Sequence, residues 1–371
     1  MQCGDFFVFH VLYEETAIFK GKLLGESYQD KIKTEQTAKL RRKLGELPPF
    51  LAEYFRSLND QTSARTRLGY AYDLSIFFDF MALKNKDDAE GDSASFTLEE
   101  LSKVTSENIE EFMDYLTYYQ TPETSWHNDA RGKSRKLAAV RTMFRYFYKS
   151  NKIPANPAEL VSFPKLREKA ITALEADEIA RLIDEVESGE HMPGRAKHYH
   201  KLTGTRDTAL VTLLLGTGMR VSECVGIDLG HLDFELNGVK ITRKGGDESI
   251  LYFNDEVEGA LKKYLVERSA AKPLAGHENA LFLSMQNRRI TDRAIQNLVK
   301  KYAKTVTPLK KISPHKLRSS FGTQLYKETG DIYLVANVLG HSDVNTTRKH
   351  YAKMDDAARR RAASAVRLRE G

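Results

Sequence analysis

The chain has 371 residues, too many for one ordinary core, and its 41% hydrophobic and 29% charged residues suit a protein that buries real apolar surface. Lysine and arginine number 57 against 51 acids, a formal charge of +6 that leans toward a polyanionic partner without identifying one. The two cysteines, Cys3 and Cys224, lie far apart, which excludes a disulfide framework and a CxxC metal signature.

Residues 1–25 stand apart from the rest of the chain. Their apolar run has no basic segment before it and is interrupted by Glu14 and Glu15, so no signal peptide is expected. No later stretch has the roughly 18 consecutive apolar residues of a membrane span, and a soluble, cytoplasmic protein is expected. Residues 26–165 read as helical. Four amphipathic segments are expected: LPPFLAEYFRSL, SARTRLGYAYDLSIFFDFMAL, TLEELSKVTSENIEEFMDYLTYY and RGKSRKLAAVRTMFRYFYKS. Ser63 is placed to cap the second, and Thr97 with Glu100 forms a candidate capping box for the third. NKDDAEGDSAS and TPETSWHND read as loops.

The fourth segment carries two stripes. Leu137, Val140, Phe144 and Phe147 make an apolar face, while Arg141, Arg145 and Lys149 recur every fourth residue on another. With Lys133, Arg135 and Lys136 at its start, this second face is a candidate for phosphate contact. A solvated basic surface has the same pattern. PANPAELVSFPKLREKA, with Pro154, Pro157 and Pro164, reads as an extended interdomain linker.

Residues 166–371 form the second expected domain. ALEADEIARLIDEV and RDTALVTLLLGTG read as helices, the latter buried and closing at Gly216 and Gly218. GVKITR and SILYF flank the turn-rich KGGDE as a β-hairpin, after which helices resume. The fold class expected is mainly α with a small β-hairpin or sheet. EHMPGRAKHYHKLTGTRD, between the first two helices, reads as a long surface loop. Its His191, His198 and His200 lack acidic or cysteine partners at ligand spacing, so no metal is expected.

Four separated signals stand out in this domain. Arg220 follows a glycine turn in TGMRVSECVGI. Lys244 sits in the hairpin turn. His315 and Arg318, three apart, share a helical face opened by Pro314. His341 follows another glycine turn, ten residues before Tyr351. Each alone has an ordinary reading as a surface charge or a core aromatic.

Taken together, in the order Arg, Lys, His-x-x-Arg, His, Tyr, the pattern resembles the tyrosine recombinase family over nearly the whole chain, and Xer recombinases and related integrases of mobile elements most. The resemblance implies a helical SAM-like core-binding domain, a mixed α/β catalytic domain and a terminal helix that docks on a neighbouring protomer. It implies that Arg220, Lys244, His315, Arg318, His341 and Tyr351 are catalytic. Arg220 and Arg318 would clamp the non-bridging phosphate oxygens, for which planar guanidiniums suit better than ammonium groups. Tyr351 would be the nucleophile and Lys244 the general acid, with His315 assisting proton transfer and His341 donating to the phosphate. Tyr326 and Tyr333 precede His341, where the family places no nucleophile, and Ser319 stands where a second histidine is frequent.

The family reaction conserves bond energy, so neither ATP nor a metal is expected. The partners implied are a double-stranded DNA recombination site, a homotetramer on paired sites, and a DNA translocase or accessory factor. Base contacts are expected from the fourth helix and from the helix around Thr291, Arg293 and Gln296. Chromosome-dimer resolution and mobile-element integration share one chemistry, with the motifs leaning to the former. Topoisomerase-like relaxation and a non-catalytic architectural role are the competing readings.

Overall fold

The computed structural model describes residues 28–85, 93–120, 124–166, 173–243, 245–341 and 343–344. These fall into two compact units, residues 28–166 and residues 173–344. Both are mainly helical with small antiparallel sheets; the sheet in the second unit was expected, the one in the first was not. No described helix is long and apolar enough to cross a membrane.

The first unit contains α1 (Tyr28–Leu44), α2 (Leu51–Ser57), α3 (Ala64–Asn85), α4 (Leu98–Lys103), α5 (Ser106–Tyr115), the strands β1 (Tyr118–Gln120) and β2 (Ser125–His127), and α6 (Ala130–Lys149). α1 packs along α3, and α3 packs on α6. The core is aromatic, with Phe77, Phe78, Phe112, Phe144 and Phe147 all excluded from solvent. The Phe77 ring meets Phe112 edge-on at 5.2 Å and Phe78 at 5.3 Å. Burial of each such ring stabilises the fold by about 2–3 kcal/mol.

Three expectations need correction here. α1 had no sequence signal, because only Leu40 of its 17 residues is buried and no apolar stripe marks it. Good helix formers and the Glu35–Lys39 pair four residues apart sustain it. The third expected helix is two. Val104 is extended, and each half begins with its own capping box, Thr97 with Glu100 and Thr105 with Asn108. Within the expected TPETSWHND loop, Ser125–His127 is instead the strand β2, which pairs antiparallel with β1 so that Trp126 faces Tyr119.

The proline-rich segment is also more ordered than a linker. Ile153, Ala158 and Val161 are buried in the first unit's core. Arg141 holds the chain there, donating to the carbonyls of Ala158 at 2.9 Å, Glu159 at 3.2 Å, and Val161. Its guanidinium also lies 4.3 Å from the Phe163 ring centroid.

The second unit contains α7 (Ala176–Ser188), α8 (Gly194–Thr217), α9 (Val221–Val225), β3 (Leu232–Asp233), β4 (Gly238–Thr242), β5 (Glu248–Tyr252), α10 (Asp255–Ala270), α11 (Asp292–Val306), α12 (Pro314–Thr329) and α13 (Ile332–Leu339). α8 is its axis, with α7, α10 and α12 packed around it. Residues 207–215 are buried without a break, which a helix allows only when enclosed on all sides. β3, β4 and β5 form an antiparallel sheet in which buried Val239 faces buried Leu251.

The long loop expected between the first two helices is mostly helix, since α8 begins at Gly194. A buried polar network holds that amino-terminal half. His200 shares a 2.9 Å hydrogen bond with the Tyr302 hydroxyl, which donates to Asp207 at 2.9 Å. His191 instead lies against Glu185, so the three histidines do not converge.

Candidate active site

The site forms where three helix ends meet. α8 stops at Gly218, whose φ of 63° lies in the left-handed region that glycine adopts without strain. A Cβ there would stand 2.3 Å from Phe321 Cδ1 and 3.0 Å from Leu339 Cδ2. Glycine therefore lets the end of α8 touch α12 and α13 together.

Arg220 is the N-cap of α9. Three residues on, Glu223 accepts the Arg220 backbone N–H on Oε2 at 2.7 Å and its Nη1 on Oε1 at 2.8 Å. A carboxylate at this position also meets the positive end of the helix dipole. Glu223 is only 4% exposed, so the Arg220 guanidinium is held in one direction. Below it, Arg289 donates to the carbonyls of Val225 at 2.8 Å and Ile227 at 2.9 Å, fixing the far end of this short helix.

α12 opens with Pro314, which loses no helical hydrogen bond at that position. His315 is exposed at its start. One turn later Arg318 is buried; its Nη1 donates to the Gly218 carbonyl at 2.8 Å and its Nη2 to the Leu339 carbonyl. A guanidinium tolerates such burial because its several donors meet acceptors. Ser319 lies back on its own helix, donating to the His315 carbonyl at 3.0 Å.

α13 ends at Gly340, φ 62°. A helix leaves its last carbonyls without intrahelical donors. Here three in succession accept guanidinium groups: Val338 from Arg243 at 3.2 Å, Leu339 from Arg318, and Gly340 from Arg220 at 3.0 Å. The negative end of the helix dipole thus gathers three cations. His341 follows at once, half-buried, its backbone N–H donating to the Ala336 carbonyl at 2.9 Å.

Of the six residues expected to be catalytic, Arg220, Arg318 and His341 meet around the end of α13. His315 sits one turn before Arg318. Lys244 and Tyr351 lie outside the described residues, as does the expected terminal helix. Tyr333 is on the first turn of α13, at the opposite end from His341, and Tyr326 packs against the small cluster around Val335 and Leu339. Glu223 and Arg243 were not singled out from the sequence. Glu223 had a legible signal, an acid three residues after a helix N-cap. Arg243 had none, because its partner is a backbone carbonyl 95 residues away.

The residues expected to contact DNA divide by their surroundings. Arg145 and Lys149 are exposed on α6, and Arg293 and Gln296 are exposed on α11. Thr291 caps α11, accepting the Ala294 N–H at 3.2 Å. Lys133 bonds to Thr117, and Arg135 pairs with the buried Asp73. Lys136 and Arg141 depart from the expected basic face. Lys136 is 5% exposed and donates to Asn128 Oδ1 at 2.7 Å, while Arg141 is committed to the carbonyls after α6. Their helical spacing matched the face, but their long side chains turn inward to satisfy buried acceptors. Burial lowers the Lys136 pKa and raises that of Asp73, although the two lie beside each other and Arg135.

Guanidiniums fixed by neighbours on a helix end suit an anion that gains charge during reaction, because little reorganisation is needed as the charge develops. The sequence profile of the phage integrase family matches residues 172–358. Tyrosine recombinase XerC of Caldanaerobacter subterraneus subsp. tengcongensis is 32% identical over 326 residues, covering 85% of this chain and 86% of that protein. Tyrosine recombinase XerC of Thermodesulfovibrio yellowstonii is 34% identical over 226 residues, 59% of this chain and 71% of its own. In three dimensions, XerH site-specific recombinase bound to palindromic difH substrate in a post-cleavage complex aligns with a TM-score of 0.62 and 19% identity over 88% of each chain. The Tn1549 transposon integrase in complex with circular intermediate DNA gives 0.61 and 20%, over 85% of this chain and 97% of that one. At those identities the structural likeness speaks to fold. The family follows from the profile and from the relative aligned along most of both chains: this protein belongs to the phage integrase family and is a tyrosine recombinase, an enzyme that cleaves and rejoins DNA.

Proposed function

We propose that the chain is a Xer-like site-specific recombinase that works through a 3′-phosphotyrosine intermediate on Tyr351. The observation that carries this reading is the meeting of Arg220, Arg318 and the His341 turn, from three distant stretches of chain, at the end of α13. Two guanidiniums so placed would hold the non-bridging oxygens of a scissile phosphate, and His341 would add a further donor.

The Tyr351 oxygen bonds to phosphorus as the bond from phosphorus to the 5′-oxygen breaks. His315 assists removal of the phenol proton, and Lys244 gives a proton to the departing oxygen, leaving a free 5′-hydroxyl. One phosphoester replaces another, so rejoining is the same step reversed and draws on no nucleotide or metal. Residues 26–165 act as the core-binding domain and residues 166–371 as the catalytic domain, with the segment beyond Tyr351 reaching a neighbouring protomer. The active assembly is a homotetramer on two paired sites in the cytoplasm, assisted by a DNA translocase or accessory factor. The extent of alignment with XerC relatives favours chromosome-dimer resolution and a role in chromosome partition at cell division.

Capture of covalent adducts from randomised duplexes by the wild-type chain identifies the cleaved site, and a nicked suicide duplex of that site then tests the chemistry. Tyr351→Phe is expected to bind this duplex and form no covalent adduct; an adduct in the variant rejects the assignment. Dimer resolution predicts one site per chromosome, whereas cleavage confined to the ends of a mobile element points to integration.

A further inference from the structure

We propose that Arg243 is a positioning residue for the cleavage step, tying the hairpin turn that contains Lys244 to the helix end that carries His341. The residue is anchored twice. Its backbone N–H donates to the Asp247 carbonyl at 2.7 Å, and its carbonyl accepts the Gly246 N–H at 3.1 Å, so the main chain belongs firmly to the turn after β4. Its side chain leaves the hairpin and donates to Val338 at 3.2 Å, next to the carbonyls taken by Arg318 and Arg220.

Gly340 makes this reach possible. A Cβ on that residue would fall 1.3 Å from Arg243 Nη1 and 2.3 Å from Cζ, so the guanidinium lies where any side chain at 340 would be. The glycine therefore has two reasons to be glycine, its left-handed backbone and its seat for Arg243. The turn runs through Gly245 and Gly246 at φ 116° and 100°, conformations that glycine adopts without strain. Arg243 supplies a fixed point one residue from Lys244, and that point rests on the same helix end as the two phosphate-clamping arginines.

The inference rests on the reading of Lys244 as general acid, and a leaving-group substitution separates the two. A duplex with sulfur in place of the bridging 5′-oxygen releases a thiolate, which departs without protonation because a thiol is far more acidic than an alcohol. On the selected nicked duplex, Arg243→Ala is expected to slow cleavage of the oxygen substrate roughly 10- to 100-fold, at or below the lower edge of the roughly 100- to 10,000-fold contribution of aligned proton transfer, because Lys244 is displaced and not removed. With the sulfur duplex the rate is expected to return to within about threefold of wild type, as it should for Lys244→Ala.

Equal slowing on both substrates, or no slowing on either, overturns the role of Arg243. Should Lys244→Ala fail to recover with sulfur, the general-acid reading of Lys244 falls instead. Arg243→Lys, which keeps charge but lacks the planar fork, is read by the same criteria if the alanine variant does not fold.

Discussion

Glu223 grips Arg220 at both ends, accepting its backbone N–H on one carboxylate oxygen and its guanidinium on the other. The cap of α9 and the orientation of a candidate phosphate clamp therefore depend on one buried acid. Glu223→Gln keeps the shape but removes the negative charge and replaces one of the two acceptor oxygens with an NH2 donor, so strand cleavage is expected to fall roughly 10- to 100-fold while duplex affinity changes little. The global fold should lose about 2 kcal/mol by denaturant unfolding. Full cleavage activity in this variant would show that Arg220 keeps its direction without Glu223.

Gly218→Ala tests the junction of the three helix ends. The added methyl meets Phe321 and Leu339, and the left-handed backbone disfavours any Cβ. A loss of about 2–4 kcal/mol is expected from overpacking and backbone strain together. Because the Gly218 carbonyl also accepts from Arg318, cleavage should fall more than stability alone explains when assayed well below the melting temperature. A variant as stable and active as wild type refutes this account of the junction.

Arg141 and Arg145 share a helix and should behave differently. Arg141→Ala strands the carbonyls of Ala158, Glu159 and Val161 and should destabilise the protein by about 3 kcal/mol. Arg145→Ala or Lys149→Ala should leave stability within about 0.5 kcal/mol. If these exposed residues contact phosphate, each alanine should lower the slope of log affinity against log salt by about 1. An unchanged slope would remove α6 from the DNA interface.

The pair of His191 with Glu185 predicts a pH dependence. The hydrogen bond from Nδ1 to the buried carboxylate, and then its charge, raise the His191 pKa above the usual 6.5. The pair's stabilisation is therefore complete below 6.5 and is lost as pH climbs through the raised folded-state value. Wild-type Tm should fall across that window by more than the Tm of His191→Ala. Parallel Tm profiles would mean the pair contributes nothing to folding, which His191's exposure keeps from being a large effect in any case.

Local pattern made much of this protein legible. The apolar stripe of α6, the capping residues Ser63 and Thr97, the hairpin around KGGDE and the glycine ends of α8 and α13 all depend on neighbours within a few residues. Hydrophobic period and backbone preference act at that range. The order of Arg, Lys, His, Arg, His and Tyr was legible for the same reason, as a set of short motifs resembling one family. Helix α1 escaped notice because packing on α3 stabilises it without an apolar stripe of its own.

What residues do with their charge was decided by the tertiary structure. Arg141 and Arg145 look equivalent as text, yet only one has three carbonyls folded back beside it. His200 reads as a loop residue until Tyr302 arrives from another helix to share its hydrogen bond. Arg243 looks like a solubilising turn residue, and its role exists only because the end of α13 leaves carbonyls open against it. Spacing specifies where a side chain starts, but the partners that desolvate, orient or neutralise it come from chain 17 to 102 residues away, and only folding brings them within reach.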